Sequence, residues 1–289
     1  MQGLIVQESP PSQDPFGGIL SAPTISLPKG GASLAGIGEK FGVNAANGTG
    51  TFALPIQVSE ARSDFAPALS LSYDSGAGNG PFGLGWRLTL PAIERRTSKG
   101  VPRYRDDSSL PADDPDGPDV FIMAGTEDLV PLHGDDGTRH ANTATAPGFV
   151  IHRYRPRIEG SFTRIERWTR TADGDMFWRT ITGDNVTTYY GLDANSREAD
   201  PADPRRIFRW LIAESHDARG NAILYRYRAE DAAGIDTAAP PERSRSRGAA
   251  RYLKRILYGN RSPARDPADW RRIPAADLPA DGWMFEIVF

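Results

Sequence analysis

Gly78, Gly80 and Gly83 stand in a G-x-G-x-x-G register inside "LSLSYDSGAGNGPFGLGWRLTLP" (69–91), the spacing with which a dinucleotide-binding loop cradles a pyrophosphate. That chemistry needs the loop to open a helix, whose free N–H groups meet the anion. Here apolar and polar residues alternate on both sides: Leu69, Leu71 and Tyr73 before the loop, Trp86, Leu88 and Leu90 after it. Period two predicts a strand on each side, and Pro81 removes one N–H from the loop. The reading is a wide turn in which Gly76, Gly78, Gly80, Gly83 and Gly85 supply positive φ or close backbone approach, with no cofactor.

Other candidate chemistry fails on spacing. The histidines His133, His140, His152 and His216 form no H-E-x-x-H or other ligand pair, and no cysteine is present. No G-x-S-x-G elbow and no Gly-Lys-Ser/Thr phosphate loop occurs. Paired carboxylates for glycoside cleavage depend on a separation in space, which sequence leaves open. The run "DDSSLPADDPDGPD" places Asp106, Asp107, Asp113, Asp114, Asp116 and Asp119 among breakers. It reads as a solvated loop: the EF-hand register puts Ala112 at the first ligand and Met123 at the last, so only an irregular calcium site would fit. "RSRSRGAARYLKR" gathers Arg243, Arg245, Arg247, Arg251, Lys254 and Arg255 beside Tyr252, but the formal charge of −3 argues against nucleic acid. No catalytic, cofactor-binding or metal-binding residue is assigned.

The elements that would carry these residues are short strands. Thirty glycines and 24 prolines in 289 residues favour many turns over long helices. "TFALPIQV" alternates with Phe52, Leu54, Ile56 and Val58 on one face, and Pro55 marks an edge or bulge. Residues 149–191 read as a meander containing "FTRIERWTR", "MFWRTI" and "VTTYYG", with Asp173-Gly174 turning the chain. Gly220-Asn221 turns it again between "FRWLIAES" and "AILYRYR", although Ile207, Trp210 and Leu211 also suit a short helix. Residues 229–248 read as a loop, "RYLKRILYG" as a strand, 261–282 as a long loop with a helical turn at Pro267 to Arg272, and "WMFEIVF" as a last strand. The expectation is a mainly β chain of antiparallel meander sheets with little helix. It divides into an extended or disordered arm over 1–35 and a β-rich domain over 36–289 that is truncated at its C-terminus. The start has neither a charged n-region nor an apolar core, and no run approaches the length that crosses a bilayer.

Several blocks in order, "SLPKGGASLAGIGEKFGVNAANGTGTFALPI", "LSLSYDSGAGNGPFGLGWRLTLPAIERRTSKGVPRY", "YRPRIEGSFTRIERW", "DNVTTYYG", "ADPADPRRIFRWL" and "RYLKRILYGN", resemble the N-terminal region of the SpvB family from about Ser26 to Phe289. That region is shared by virulence plasmid B proteins and by the B components of insecticidal toxin complexes. "HDARGNAILYRY" is also similar to the Asp-x-x-Gly-Asn core of RHS/YD repeats. The resemblance implies a secreted or extracellular bacterial toxin part, a non-enzymatic piece of the shell wall that encloses and delivers a cytotoxic effector. The implied partners are downstream propeller and RHS regions of the same polypeptide, a C-type toxin protein and, through the propeller, an A-type pore, without nucleic acid or membrane. In one branch such a region precedes an actin ADP-ribosyltransferase, whose Glu-x-Glu and Ser-Thr-Ser stretches are missing from this sequence. A different class of reading is a carbohydrate-binding or adhesive β domain using Trp168, Trp178 and Tyr189 as exposed platforms.

Overall fold

The computed structural model describes residues 40–44, 47–105, 117–124 and 127–289. The expected arm over 1–35 and the carboxylates Asp106, Asp107, Asp113, Asp114 and Asp116 lie outside them. In chain order the strands are β1 (Lys40–Asn44), β2 (Thr49–Ile56), β3 (Leu69–Asp74), β4 (Asn79–Gly80), β5 (Gly83–Leu84), β6 (Trp86–Leu88), β7 (Ala92–Arg95), β8 (Phe121–Met123), β9 (Glu127–Pro131), β10 (Ala141–Asn142), β11 (Phe149–Pro156), β12 (Arg164–Arg170), β13 (Met176–Ile181), β14 (Thr187–Tyr190), β15 (Arg197–Asp200), β16 (Asp203–His216), β17 (Ala222–Ala229), β18 (Arg251–Asn260) and β19 (Trp283–Val288). Among the described residues, helix is confined to single 3₁₀ turns. The mainly β, antiparallel expectation holds.

A 13-stranded sheet runs β14-β13-β12-β11-β9-β8-β7-β16-β17-β18-β19, and a further pairing joins β14 to β16. The sheet therefore closes on itself: from β14 through β7 to β16 and back to β14 is a ring, and β17, β18 and β19 continue from it as a tail whose Ile223, Tyr225, Ile256 and Tyr258 join the same core. Closure removes the exposed edges that an open sheet leaves unpaired. One strand makes it possible. β16 is 14 residues long and gives Arg209, Trp210 and Leu211 to β7 on one edge, while Ile212, Glu214, Ser215 and His216 meet β14 on the other.

The lumen of the ring is packed with rings rather than left open. Phe121, Trp178 and Trp210 are almost fully buried, with centroids 5.0 to 6.0 Å apart in edge-to-face pairs. Tyr154 lies 4.9 Å from Trp178. Such pairs add about 1 kcal/mol each beyond their burial. The pattern of β13 shows how sequence specifies this: Met176, Trp178 and Thr180 point in and are buried, while Phe177, Arg179 and Ile181 point out. Arg95 enters the same core, its guanidinium 5.1 Å from the Phe121 ring and 5.5 Å from Trp210, and donates to Ile207 O and Asp119.

One alternative reading needs correction. Ile207 and Trp210 do not belong to a helix; both are buried on one strand, because a register shift leaves Phe208 as an extra residue between the pairs Ala199–Ile207 and Glu198–Arg209. A bulge thus turns an inward period of two into a spacing of three, which imitates helical periodicity. The helical turn expected at Pro267 to Arg272 is a single turn closed by Trp270 N to Asp266 O, and the 3₁₀ helices come later, at Ala275–Asp277 and Ala280–Gly282.

Candidate functional site

The glycine loop is a hairpin. β3 and β6 pair antiparallel (Tyr73 opposite Trp86, Leu71 opposite Leu88), and β4 and β5 form a small ladder between them. A strand, not a helix, follows the glycines, so no helix N-terminus is present to receive a pyrophosphate. Gly85 has φ +79°, and a Cβ there would lie 2.8 Å from Asp74 O and 2.6 Å from the Tyr73 ring. Gly83 (φ +101°) and Gly174 (φ +74°) face open space. Gly80 and Gly76 have ordinary φ but are crowded, by Trp86 O at 2.8 Å and by the Thr49 methyl at 2.5 Å, whereas Gly78 is neither strained nor crowded.

Gly220 combines both constraints, φ +85° with Pro263 at 2.9 Å. It sits in the Asp-x-x-Gly-Asn turn, where the Asp217 carboxylate accepts from the N–H groups of Arg219 and Asn221 and from the Asn221 amide. Across from it, the buried Asn260 accepts from Ala222 N and donates to Gly220 O and Ser262 O. The motif is a turn built by side-chain amides, with its polar groups satisfied internally.

The outer face of the ring carries a row that sequence reading missed. Arg153, Glu166, Arg179, Tyr189 and Glu214 lie opposite one another in successive strands. Glu166 is 0% exposed although it points away from the lumen. It accepts from Arg164, from Trp168 Nε1 at 3.0 Å and from Arg179 at 2.6 and 2.9 Å. Burial raises its pKa, but the Arg179 charge, the Trp168 and Arg179 hydrogen bonds and the Arg164 charge outweigh that and hold it below the ordinary value. Glu214, equally buried, is gripped by Arg272 and by Ala275 N at 2.6 Å, and Arg272 lies 4.3 Å from the Tyr189 ring centroid. Three strand steps separate the two carboxylates, about 14 Å. A glycosidase pair stands about 5 to 9.5 Å apart, so these acids are clamps, not an acid/base couple.

The remaining candidates are committed elsewhere. Trp178 is 0% exposed and Tyr189 8%, which overturns their expected role as exposed sugar platforms; Trp168 is half-buried, stacked on Phe177 at 5.6 Å. In the basic stretch Arg245 pairs with Glu230, Arg247 with Glu242 and Arg255 with Glu286. Asp119 accepts from Arg95 and from the N–H groups of Arg103 and Tyr104. His133 and His140 are exposed, while His216 is fully buried 3.3 Å from Glu214 Oε1. Burial, then the Arg265 charge, pull the His216 pKa down to about 4 against the opposing charge of Asp217. Among the described residues no group of three or more His, Asp or Glu could hold a metal, and no helix is long and apolar enough to cross a membrane.

This closed β domain with an aromatic-filled lumen is of the class of toxin structural modules, as its likeness to solved structures shows. Residues 44–289 match the family described as Salmonella virulence plasmid 65kDa B protein, and the chain belongs to this SpvB family. The mono(ADP-ribosyl)transferase SpvB of Salmonella typhimurium (strain 14028s / SGSC 2262) is 36% identical over 269 residues, 91% of this chain and 42% of that protein. The chain thus spans less than half the length of the curated relatives it matches. Among solved structures, the N-terminal domain of effector protein SpvB from Salmonella typhimurium strain LT2 superposes with TM-score 0.68 at 37% identity, over 82% of this chain and 71% of that one. TcdB2-TccC3 superposes with TM-score 0.72 at 32% identity, over 93% of this chain and 12% of that one. The Photorhabdus luminescens Tc holotoxin pore gives TM-score 0.70 at 32% identity.

Proposed function

We propose that this domain is a non-enzymatic wall segment of a secreted bacterial toxin, the N-terminal part of a Tc B-like component whose shell encloses and delivers a cytotoxic effector. The observation that carries the reading is the likeness to TcdB2-TccC3 over 93% of this chain, while that neighbour is covered over only 12%. A piece of that kind needs continuous sheet and satisfied polar groups, not a reactive pocket. In this reading residues 36–289 form the folding unit, and polypeptide beyond Phe289 supplies propeller and RHS portions. These meet a C-type toxin protein and an A-type pore.

The test is co-expression of the full-length polypeptide containing residues 36–289 with a C-type protein. The C-type tail is expected to resist added protease, and deletion of residues 36–289 to expose it. Protection that survives the deletion overturns the proposal. Residues 36–289 alone are expected not to bind an A-type pentamer in interferometry; tight binding contradicts the assignment of docking to another part.

A second reading is favoured by the 36% identity to a mono(ADP-ribosyl)transferase over 269 residues. Here the domain is the secretion-associated housing of an effector that carries its enzyme on the same chain. NAD-dependent labelling of actin by the full-length polypeptide, absent from residues 36–289, selects it over the first.

A further inference from the structure

A cleft of about 390 Å³ opens between the glycine hairpin, the outer faces of β7 and β16, and the start of β18. Its walls are apolar: Phe82, Leu88 and Leu90 on one side, Leu211, Tyr252 and Leu253 on the other. The size and lining are those of a small-molecule site, which needs a few convergent polar groups to fix its ligand. Three guanidinium groups and one carboxylate, Glu94, supply them.

The charges do not cancel. Arg209 is balanced twice, by Glu94 and by Glu198 Oε2 at 3.1 Å. Arg251 directs its guanidinium at the carbonyl oxygens of Ala194, Gly248, Ala249 and Ala250, which are neutral; its backbone N–H donates to Glu198 Oε1 at 3.5 Å, but its side chain has no carboxylate partner among the described residues. Arg87 is exposed, and its side chain has no hydrogen-bond or ion-pair partner among the described residues. Three arginines against Glu94 and Glu198 leave the cleft with one net positive charge, and the side chains of Arg87 and Arg251 are the two outside the ion pairs. Arg87, whose donors are uncommitted among the described residues, can meet a carboxylate through bidentate, charge-assisted hydrogen bonds, and Arg251 can add one more from Nη2, since its Nε and Nη1 already donate to carbonyls. At the rim the Phe82 ring already meets Phe289 edge-on at 6.2 Å, a contact that an aromatic guest would extend.

We propose that this cleft binds a small amphipathic carboxylate, an aromatic or aliphatic body carrying one anionic head, with Arg87 and Arg251 on the head and Leu90, Leu211 and Leu253 around the body. The site is independent of the housing role. It rests on charge imbalance and shape, and either toxin reading accommodates it.

The probe is 1-naphthylacetate, with its neutral amide as the isostere. Titration calorimetry of the 289-residue chain is expected to give one site, with the amide at least about tenfold weaker, the usual scale for losing a charged hydrogen bond. Arg87→Gln and Arg251→Gln are each expected to weaken the acid several-fold without changing the amide. Both variants are first checked for an unchanged melting temperature; if Arg251→Gln unfolds, Arg87→Gln, on an exposed side chain, decides. NMR shifts of the Tyr252 and Leu253 amides locate the guest. Equal affinity for acid and amide, or an Arg87→Gln variant that binds the acid as the parent does, overturns the proposal. Binding of the blocked peptide Phe-Asp-Phe without binding of the free acid also overturns it, since that assigns the cleft to polypeptide.

Discussion

Gly85 and Gly83 look alike in sequence, two residues apart in one loop, yet the backbone asks different things of them. A side chain at Gly85 meets both a positive φ and a carbonyl oxygen at 2.8 Å, whereas at Gly83 it meets only the φ. Gly85→Val is expected to cost about 3 kcal/mol or more, Gly83→Val about 1 to 3, and Gly78→Ala nothing beyond about 0.5. Thermal melts of the three variants check the order; equal melting temperatures contradict it. His216 gives a second prediction at this scale. Its folded pKa of about 4 lies below the ordinary 6.5, so between these values the unfolded chain binds the proton and the folded one does not. The contribution is complete above pH 6.5 and is lost as pH falls toward 4, by about 3 kcal/mol. Denaturant midpoints of His216→Gln should fall less steeply over that interval than those of the parent.

At the scale of elements, Glu166 ties three neighbouring strands. Glu166→Gln leaves three arginines, Arg153, Arg164 and Arg179, facing a neutral amide and is expected to cost about 3 kcal/mol by urea unfolding. Asn260→Ala removes the acceptor of Ala222 N and a donor to two carbonyls, a loss of about 2 kcal/mol or more. Hydrogen exchange should quicken in β17 to β19 and stay unchanged in β11 to β13; a uniform rise would contradict a separate tail. Strands rich in apolar and aromatic residues next to clear turn signals, such as "MFWRTI" and "AILYRYR", were legible from sequence, as was the strand–glycine–strand hairpin. The short strands β7, β8, β9 and β15 were not, because three to five residues carry too little periodicity to be seen. Glu166 was invisible for a different reason: a charge in a strand reads as solvated, and only its neighbours in space reveal that three donors have replaced the water. Trp178 and Tyr189 misled in the opposite direction, since an aromatic residue reads the same whether it lines a lumen or a surface.

At the scale of the whole molecule, the feature that sequence hid was closure. The meander from β11 to β14 is local and predictable, but the pairing of β14 with β16 depends on a long strand switching neighbours at Leu211 and Ile212. Ring members hold partners on both flanks, and the outer row of alternating charge crosses five of these strands. The family match and the likeness to the TcdB2-TccC3 neighbour fit a structural module of a toxin.

The contrast between ring and tail carries a mechanical consequence. A load entering at Phe289 reaches β19 first, which is held on one flank only, so its bonds to β18 give way one after another, like a zipper, and β18 and β17 follow. At β16 the tear meets a hoop, where slipping one stave means shearing two seams at once. Optical-tweezer traces pulled between Phe289 and the β12–β13 turn should show a low, stepped plateau and then one tall rupture.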